Sequence, residues 1–477
     1  MVGRQGHTGT RATGCLTPAA ANVAATVRCR GVDTDVADIT EWIDGHVGGM
    51  VLAVRRQPRW RPVWLVDVER DGERIELLVR GVRVDFPGVW PLDHEMRFQQ
   101  LLERHGIPVP RVWGWCDTPT SFVTDRVPGE NDFSQSTDEE RVAAMRDYMG
   151  ILARIHGLDP DEFSAAGIDR AADASGSGRV GLDAYVRGYR ARKVQPDPYM
   201  EFSLRWIDRH PVDSHGREAP VVWDSGQFHT LDGRITAVLD LELGHVGDPM
   251  MDLAGFRMRD TVIGYGDMPT LYSWYEAAGG VAVDLDAVMH HHFVFTLTNE
   301  LAFQAALAAP TPGSDYMTNM QWVSETNLHG LEALAEIHGW DLPTVETPAP
   351  RVSPVAHAHA HLVQSLRTLD VDDEFARHQV RIAFRLARHL QRFDEIGDEV
   401  TEANLDDLVS LLGRRPATWH DGDAALEEFV LADDGRHDEA LFQLFYRRFL
   451  RFKMLCGPAG SAMTTHHRCQ PLVGRAS

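Results

Sequence analysis

The sequence predicts an α+β protein with a small antiparallel β lobe, a larger helical lobe that contains one hairpin, and an all-α C-terminal extension. Three observations lead there. Short runs of alternating apolar residues, two of them joined by a D-G turn, fill the region before Gly129. Beyond it, apolar residues recur at helical spacing. One stretch, VVWDSGQFHTLDGRITAVLDLE (221–242), breaks the helices with strand–turn–strand character and sets Asp224 and Asp240 at its two ends.

Taken in order, residues 1–34 open with thirty positions that hold no acidic residue and no continuous apolar run, so they are not a secretory signal. They are expected to be a disordered leader or an over-extended start. The β lobe follows at 35–129. DVADITEWIDGH has helical spacing; MVLAVRR, VWLVDVER and ERIELLVRGVR read as strands, the last two joined at Asp71-Gly72. LDHEMRFQQLLERHG puts Met96, Leu101 and Leu102 on one helical stripe, with Gly106 as terminator. IPVPRVWGWCD and TSFVTDRVPGE read as two more strands.

The helical lobe is expected at 130–342, with helices at 138–156, 182–192, 199–207, 268–279, 284–308 and 315–338 around the isolated hairpin. PTVETPAP (343–350) is a natural linker. The extension, 351–456, is expected to hold helices at 355–369, 373–393, 402–412 and 438–455, before a disordered tail at 457–477.

A formal charge of −23 and a pI near 5.4 argue against non-specific binding to nucleic acid or to an anionic membrane surface, both of which need a basic field. Five scattered cysteines without a CxxC pair imply no disulfide framework and a reducing, cytoplasmic setting. The most apolar long window, 292–310, carries Asn299, Glu300 and Gln304 and reads as a buried core helix, not a membrane span. Lysine occurs only at Lys193 and Lys453; every other basic side chain besides histidine is arginine.

Carboxylates flanking a hairpin suit phosphoryl transfer. That reaction needs one carboxylate to orient the attacking hydroxyl, oxygen ligands to hold Mg²⁺, and a cation on the phosphates set by a helix carboxylate. Folding the hairpin brings Asp224 and Asp240 together, while LLVRG offers Arg80 and the following helix offers Glu95. The blander alternative is a hairpin with solvated ends.

With these residues in hand, the chain resembles the aminoglycoside phosphotransferase and choline-kinase-like branch of the protein-kinase fold, in particular the phosphotransferase domains related to those fused to acyl-CoA dehydrogenases. LDLELGHVGDPMMDLA (239–254) matches the metal-binding segment of that family, FVTDRVPGE the interlobe hinge, HEMRFQQLLERHGIPVPRV the lobe-one helix and next strand, and GILARIHGLDP the helix before the catalytic loop. The resemblance implies a bilobal kinase-like fold and an ATP- and Mg²⁺-dependent phosphotransferase acting on the hydroxyl of a small molecule, such as a hydroxyacyl or lipid-derived acceptor. It implies Asp224 as catalytic base, Asp240 and Gln227 as metal ligands, and Arg80 with Glu95 as the phosphate clamp. Thr124 and the backbone of Asp125 and Val127 would meet the adenine.

Four departures point to the alternative, a degenerate kinase fold that binds without transferring phosphate. V-W-D replaces the family's H-G-D, the catalytic loop is two residues short, Arg80 stands in for lysine, and the turn RRQPRWRPVW (55–64) has no glycine. Arginine keeps the charge but presents a planar fork, and Arg59 and Arg61 are expected to replace backbone amides over the phosphates, with Trp60 and Trp64 either stacking on a base or packing. Asp248 and Asp252 are expected to cap the next helix and tie the loop down.

HHH (290–292) and HAHAH (357–361) offer no identifiable third metal ligand and are read as packing or surface residues. FQLFYRRFLRF (442–452) is read as a core helix docking on the main lobe, or as a partner surface. No G-x-S-x-G elbow supports serine hydrolysis.

Overall fold

The computed structural model describes residues 32–59, 61–83, 88–459, 461 and 464–472. Most of the expected leader, Trp60 and residues 473–477 lie outside them. α1 (Val32–His46) leads into β1 (Met50–Arg56), β2 (Val63–Arg70) and β3 (Glu73–Gly81), then α2 (Leu92–Arg104), β4 (Val112–Asp117) and β5 (Thr120–Asp125). The strands form one antiparallel sheet in the order β1-β2-β3-β5-β4. Asp71 and Gly72 both take positive φ (55° and 80°), the hairpin conformation that a D-G pair supplies at little steric cost. Ile39 and Ile43 of α1 pack with Val66, Val68, Leu77 and Val79 to close this core. Trp64 belongs to that core as well, so it packs and does not stack on a base.

α2 joins the lobes. Phe98, Leu101 and Leu102 on its inner face share a core with α3 (Asp138–His156), while Glu95 sits one turn earlier on the buried side. α3 starts at a full capping box between Thr137 and Glu140. α4 (Pro160–Ala165), α5 (Val180–Arg192) and α6 (Pro198–Arg209) precede β6 (Ala219–Val221), β7 (Phe228–Leu231), β8 (Arg234–Val238) and β9 (His245–Gly247). α7 (Met250–Ile263) and α8 (Met268–Ala277) follow, then α9 (Leu285–Thr296), α10 (Thr298–Ala308) and α11 (Tyr316–His338). The architecture is α+β and bilobal, a five-stranded antiparallel lobe joined through α2 to a larger helical lobe.

The expected single helix at 284–308 is two, meeting at Leu297. Thr296 and Thr298 turn their hydroxyls onto the carbonyls of Phe293 and Phe295 (2.6 and 2.7 Å), competing with the helical ladder at the junction. After α12 (Ala356–Thr368), the two helices expected at 373–393 and 402–412 are mostly one, α13 (Glu374–Asp407), trailed by α14 (Val409–Leu412). Gly397 does not break it; the Phe393 ring lies where a Cβ on Gly397 would stand, 2.7 Å away. α15 (Trp419–Ala432) was hidden in sequence by Pro416 and Gly422, yet Thr418 caps it, accepting from the Asp421 amide at 3.1 Å.

α16 (Asp438–Leu455) docks as expected, Phe442 and Phe445 joining a core with Phe202 and Trp206 of α6. Leu408, Leu426 and Val430 enter the same core, so the extension and the helical lobe are one hydrophobic unit. The segment 464–472 is also ordered against the lobe, contrary to the disorder expected from its composition. Buried Arg257 donates to the Gln470 carbonyl at 3.1 and 2.8 Å, and Leu472 joins the main core. Among the described residues no helix is long and apolar enough to cross a membrane.

Candidate active site

The site is built from one buried carboxylate outward. Asp252, in the first turn of α7 and fully buried, accepts the amides of Val222 (3.0 Å) and Trp223 (2.6 Å) and meets His156 Nε2 at 2.9 Å. This holds Trp223 at φ +63°, a conformation a bulky residue keeps only when its surroundings impose it. Gly255, one turn along α7, gives the loop its room: a Cβ there would lie 2.2 Å from the Trp223 carbonyl oxygen. The loop thus anchored delivers Asp224. Asp248, two residues before α7, accepts from Met250 N at 3.0 Å and holds Arg217 at 3.1 Å through each carboxylate oxygen.

Asp240, at the far end of the hairpin, adopts a left-handed conformation (φ 56°, ψ 58°). Gln227 spans the two ends: its Nε2 donates to Asp224 Oδ2 at 2.8 Å and to Asp240 Oδ2 at 3.2 Å. The two carboxylates share one cleft. From the β lobe, Arg80 binds Glu95 Oε1 through Nε at 2.8 Å and Asp240 Oδ1 through Nη2 at 2.5 Å. One arginine thereby ties β3, α2 and the hairpin together.

Sequence reasoning missed Arg259 and Arg83, and it set Arg61 over the phosphates where the structure pairs it with carboxylates. Arg259 of α7 grips Asp224 with Nε and Nη2, 2.7 Å to each oxygen. Arg61 lies 3.5 Å from Glu95 and pairs with Glu242, which also meets Arg83 at 2.9 Å. A signal for Arg259 exists, since Asp252, Gly255 and Arg259 stand at i, i+3 and i+7 on one helix face. Nothing comparable marks the Arg61–Glu242–Arg83 link, which joins residues 181 and 159 positions apart.

The electrostatics separate the two aspartates. Burial pushes the Asp224 carboxyl up to about 6 against the pull of Arg259. Burial also opposes ionisation of Asp240, but Arg80, Arg61 and Arg259 outweigh it and hold that carboxyl well below the usual range. Burial and the neighbouring Arg80 lower the affinity of Arg59 for its proton.

Two cavities meet here. One, of 380 Å³, lies under the β lobe against Leu78, Phe122, Thr124, Asp125, Val127 and Leu239, with Arg80 and Glu95 at its inner end. The other, of 480 Å³, opens into the helical lobe between Tyr185, Leu243, Met258, Phe295, Phe303 and Trp322. Arg59, Gln227, Asp240 and Arg259 line both, and Asp224 faces the second. Asp224, Gln227, Asp240, Arg80, Glu95, Thr124, Asp125 and Val127 therefore all border this joined space.

Residues 62–270 match the sequence model of the phosphotransferase enzyme family known as APH. Acyl-CoA dehydrogenase family member 11 of Rattus norvegicus is 30% identical over 181 residues, 35% of this chain and 23% of the rat protein. The probable acyl-CoA dehydrogenase IBR3 of Arabidopsis thaliana is 24% identical over 184 residues, 34% of this chain and 22% of that one. The matched region thus spans under a quarter of either relative. Among solved structures, the macrolide 2'-phosphotransferase MphH of Brachybacterium faecium is 18% identical with a TM-score of 0.42, covering 65% of this chain and 99% of that one. A thermostable mutant of aminoglycoside phosphotransferase APH(4)-Ia, in ternary complex with ADP and hygromycin B, is 16% identical with a TM-score of 0.43 and covers 64% and 100%. The match to that family model covers the part of the chain that carries Arg80, Asp224 and Asp240.

Proposed function

We propose that this protein transfers a phosphoryl group from ATP, with Mg²⁺, to the hydroxyl of a small molecule. One observation carries the reading: Asp224 and Asp240 converge on a single amide where a cavity under the β lobe joins a cavity in the helical lobe. The first cavity would hold the nucleotide, with Thr124 and the backbone of Asp125 and Val127 around the base. The second would hold the acceptor, and its mixed walls of aromatic, aliphatic and amide side chains suit an amphipathic molecule such as a hydroxyacyl compound.

In this reading Asp224 receives the proton of the attacking hydroxyl. Its raised carboxyl leaves it ionised at neutral pH yet basic enough to do so. Arg80, set by Glu95, and Arg59 neutralise the phosphates with side chains where a glycine-rich turn would use backbone amides. The donor set fits Mg²⁺: Oδ2 of both aspartates already faces one point, and hard oxygens are the preferred ligands. Gln227 presents its amide nitrogen to both, so rotation of that amide would bring Oε1 to the ion. Bound Mg²⁺ would supply charge neutralisation of the triphosphate.

A second reading, binding without transfer, is favoured by the Arg259–Asp224 pair, which occupies both oxygens of the candidate base. An acceptor screen followed by ³¹P NMR separates the two. Turnover by the wild type on a hydroxyl compound, lost in Asp224→Asn, supports transfer. ATP binding with no product from any hydroxyl acceptor, and no ATP hydrolysis, supports the second reading.

A further inference from the structure

We propose that His329, Glu332 and Cys469 form a zinc-binding site that fastens the C-terminal segment to the helical lobe. His329 and Glu332 stand at i, i+3 on α11, so one helix face offers both. Their ligand atoms and that of Cys469 all lie within 4.8 Å of one another. His292, from α9, places Nε2 at 3.5 Å from the Cys469 sulfur. Three protein ligands leave the fourth position of a tetrahedral zinc to water.

A second, independent observation points to a ligand. His329 is 1% exposed, and its Nδ1 has no hydrogen-bond partner among the described residues. A buried ring nitrogen with nothing to bind calls for an ion or a water. Glu332 is already oriented as metal-ligating carboxylates are: it accepts from Tyr446 Oη at 3.1 Å, from His466 Nε2 at 2.8 Å and from the Cys469 amide at 3.2 Å.

The chemistry of the donors selects the metal. Thiolate, imidazole and carboxylate together suit zinc and not Mg²⁺ or Ca²⁺, which take oxygen. Binding forms a sulfur–metal bond as the Cys469 thiol releases its proton to solvent. A neighbouring triad, Glu325, His329 and His466, is closed by hydrogen bonds instead: His466 meets Glu325 at 2.9 Å and Glu332 at 2.8 Å, one carboxylate for each ring nitrogen. His329 also lines the 480 Å³ cavity, so a metal here would stiffen that wall.

The test is cobalt(II) titration of the untagged full chain, read by absorption and by native mass spectrometry. The proposal predicts one metal per chain, tetrahedral visible bands, and a near-ultraviolet sulfur-to-cobalt band that zinc displaces. Cys469→Ser should lose the near-ultraviolet band and bind at least ~10-fold more weakly, whereas Cys116→Ser and His357→Ala should keep it. Wild type without cobalt or zinc uptake at micromolar metal overturns the proposal, as does a near-ultraviolet band that survives Cys469→Ser. Should Cys469→Ser fail to fold, the variant with Cys15, Cys29, Cys116 and Cys456 all changed to Ser decides: it should keep the near-ultraviolet band, and its loss there overturns the proposal.

Discussion

Arg259 holds Asp224 with two parallel hydrogen bonds of 2.7 Å, one to each carboxylate oxygen. Such a fork fixes both position and charge. It also works against burial, which by itself drives the carboxyl upward.

If Asp224 is the base, the sign of its pH dependence follows. Activity needs the ionised form, so it should be present above a pH of about 6 and fall as the pH drops through that value. Arg259→Gln removes a group that favours ionisation, and the acid limb should move to higher pH. A pH profile of kcat checks this; an unmoved limb would assign the titration to another group.

Asp252→Ala should be severely destabilising. It would strip the acceptor from two buried amides and leave His156 Nε2 without its partner. Losses of this kind cost about 3–5 kcal/mol. Urea unfolding measures it, and a loss below about 1 kcal/mol would show that the loop is held by something else.

Arg80 and Glu95 should uncouple stability from binding. Arg80→Met leaves Glu95, whose side chain is 4% exposed, without its closest cation and should cost about 3 kcal/mol. Adding Glu95→Gln should restore most of that stability. It should not restore nucleotide affinity, because the phosphate cation is still missing. Thermal unfolding with nucleotide titration on both variants distinguishes these effects; recovery of both together would place Arg80 in a purely structural role.

Gly255→Ala tests how closely α7 approaches the loop. The new Cβ would meet the Trp223 carbonyl at 2.2 Å, and backbone cannot yield as a side chain can. Overpacking of this kind costs about 1–3 kcal/mol, and Asp224 should lose its position as well. Gly150→Ala, where nothing lies within 4 Å of the new atom, is the matched control and should be neutral or mildly stabilising.

Much of this was legible in sequence because local chemistry carried it. The D-G pair fixed one hairpin, alternation fixed the strands, and the D-x-E segment after the second hairpin marked the carboxylate cleft. What stayed hidden depends on contacts between distant positions. Arg259 shows only as a helix-face pattern whose meaning requires knowing what α7 covers. The merger of the extension with the helical lobe rests on Phe442 and Leu426 meeting Phe202 and Trp206, which no spacing encodes. The tail looked disordered because its composition is poor in apolar residues; its order comes from a few polar anchors, above all the Gln470 carbonyl on Arg257. Removing residues 351–477 should accordingly yield an insoluble chain, not a trimmed enzyme, since that core would be left open.

Titration calorimetry of ATP into the protein, with and without Mg²⁺, for wild type and Asp240→Asn is the most direct test of the central claim that Asp224 and Asp240 serve one nucleotide-bound ion. Wild type should bind ATP more tightly with Mg²⁺ than without, and Asp240→Asn should lose that difference while remaining folded. Equal affinity with and without Mg²⁺ in the wild type, or no heat at millimolar ATP, would contradict it.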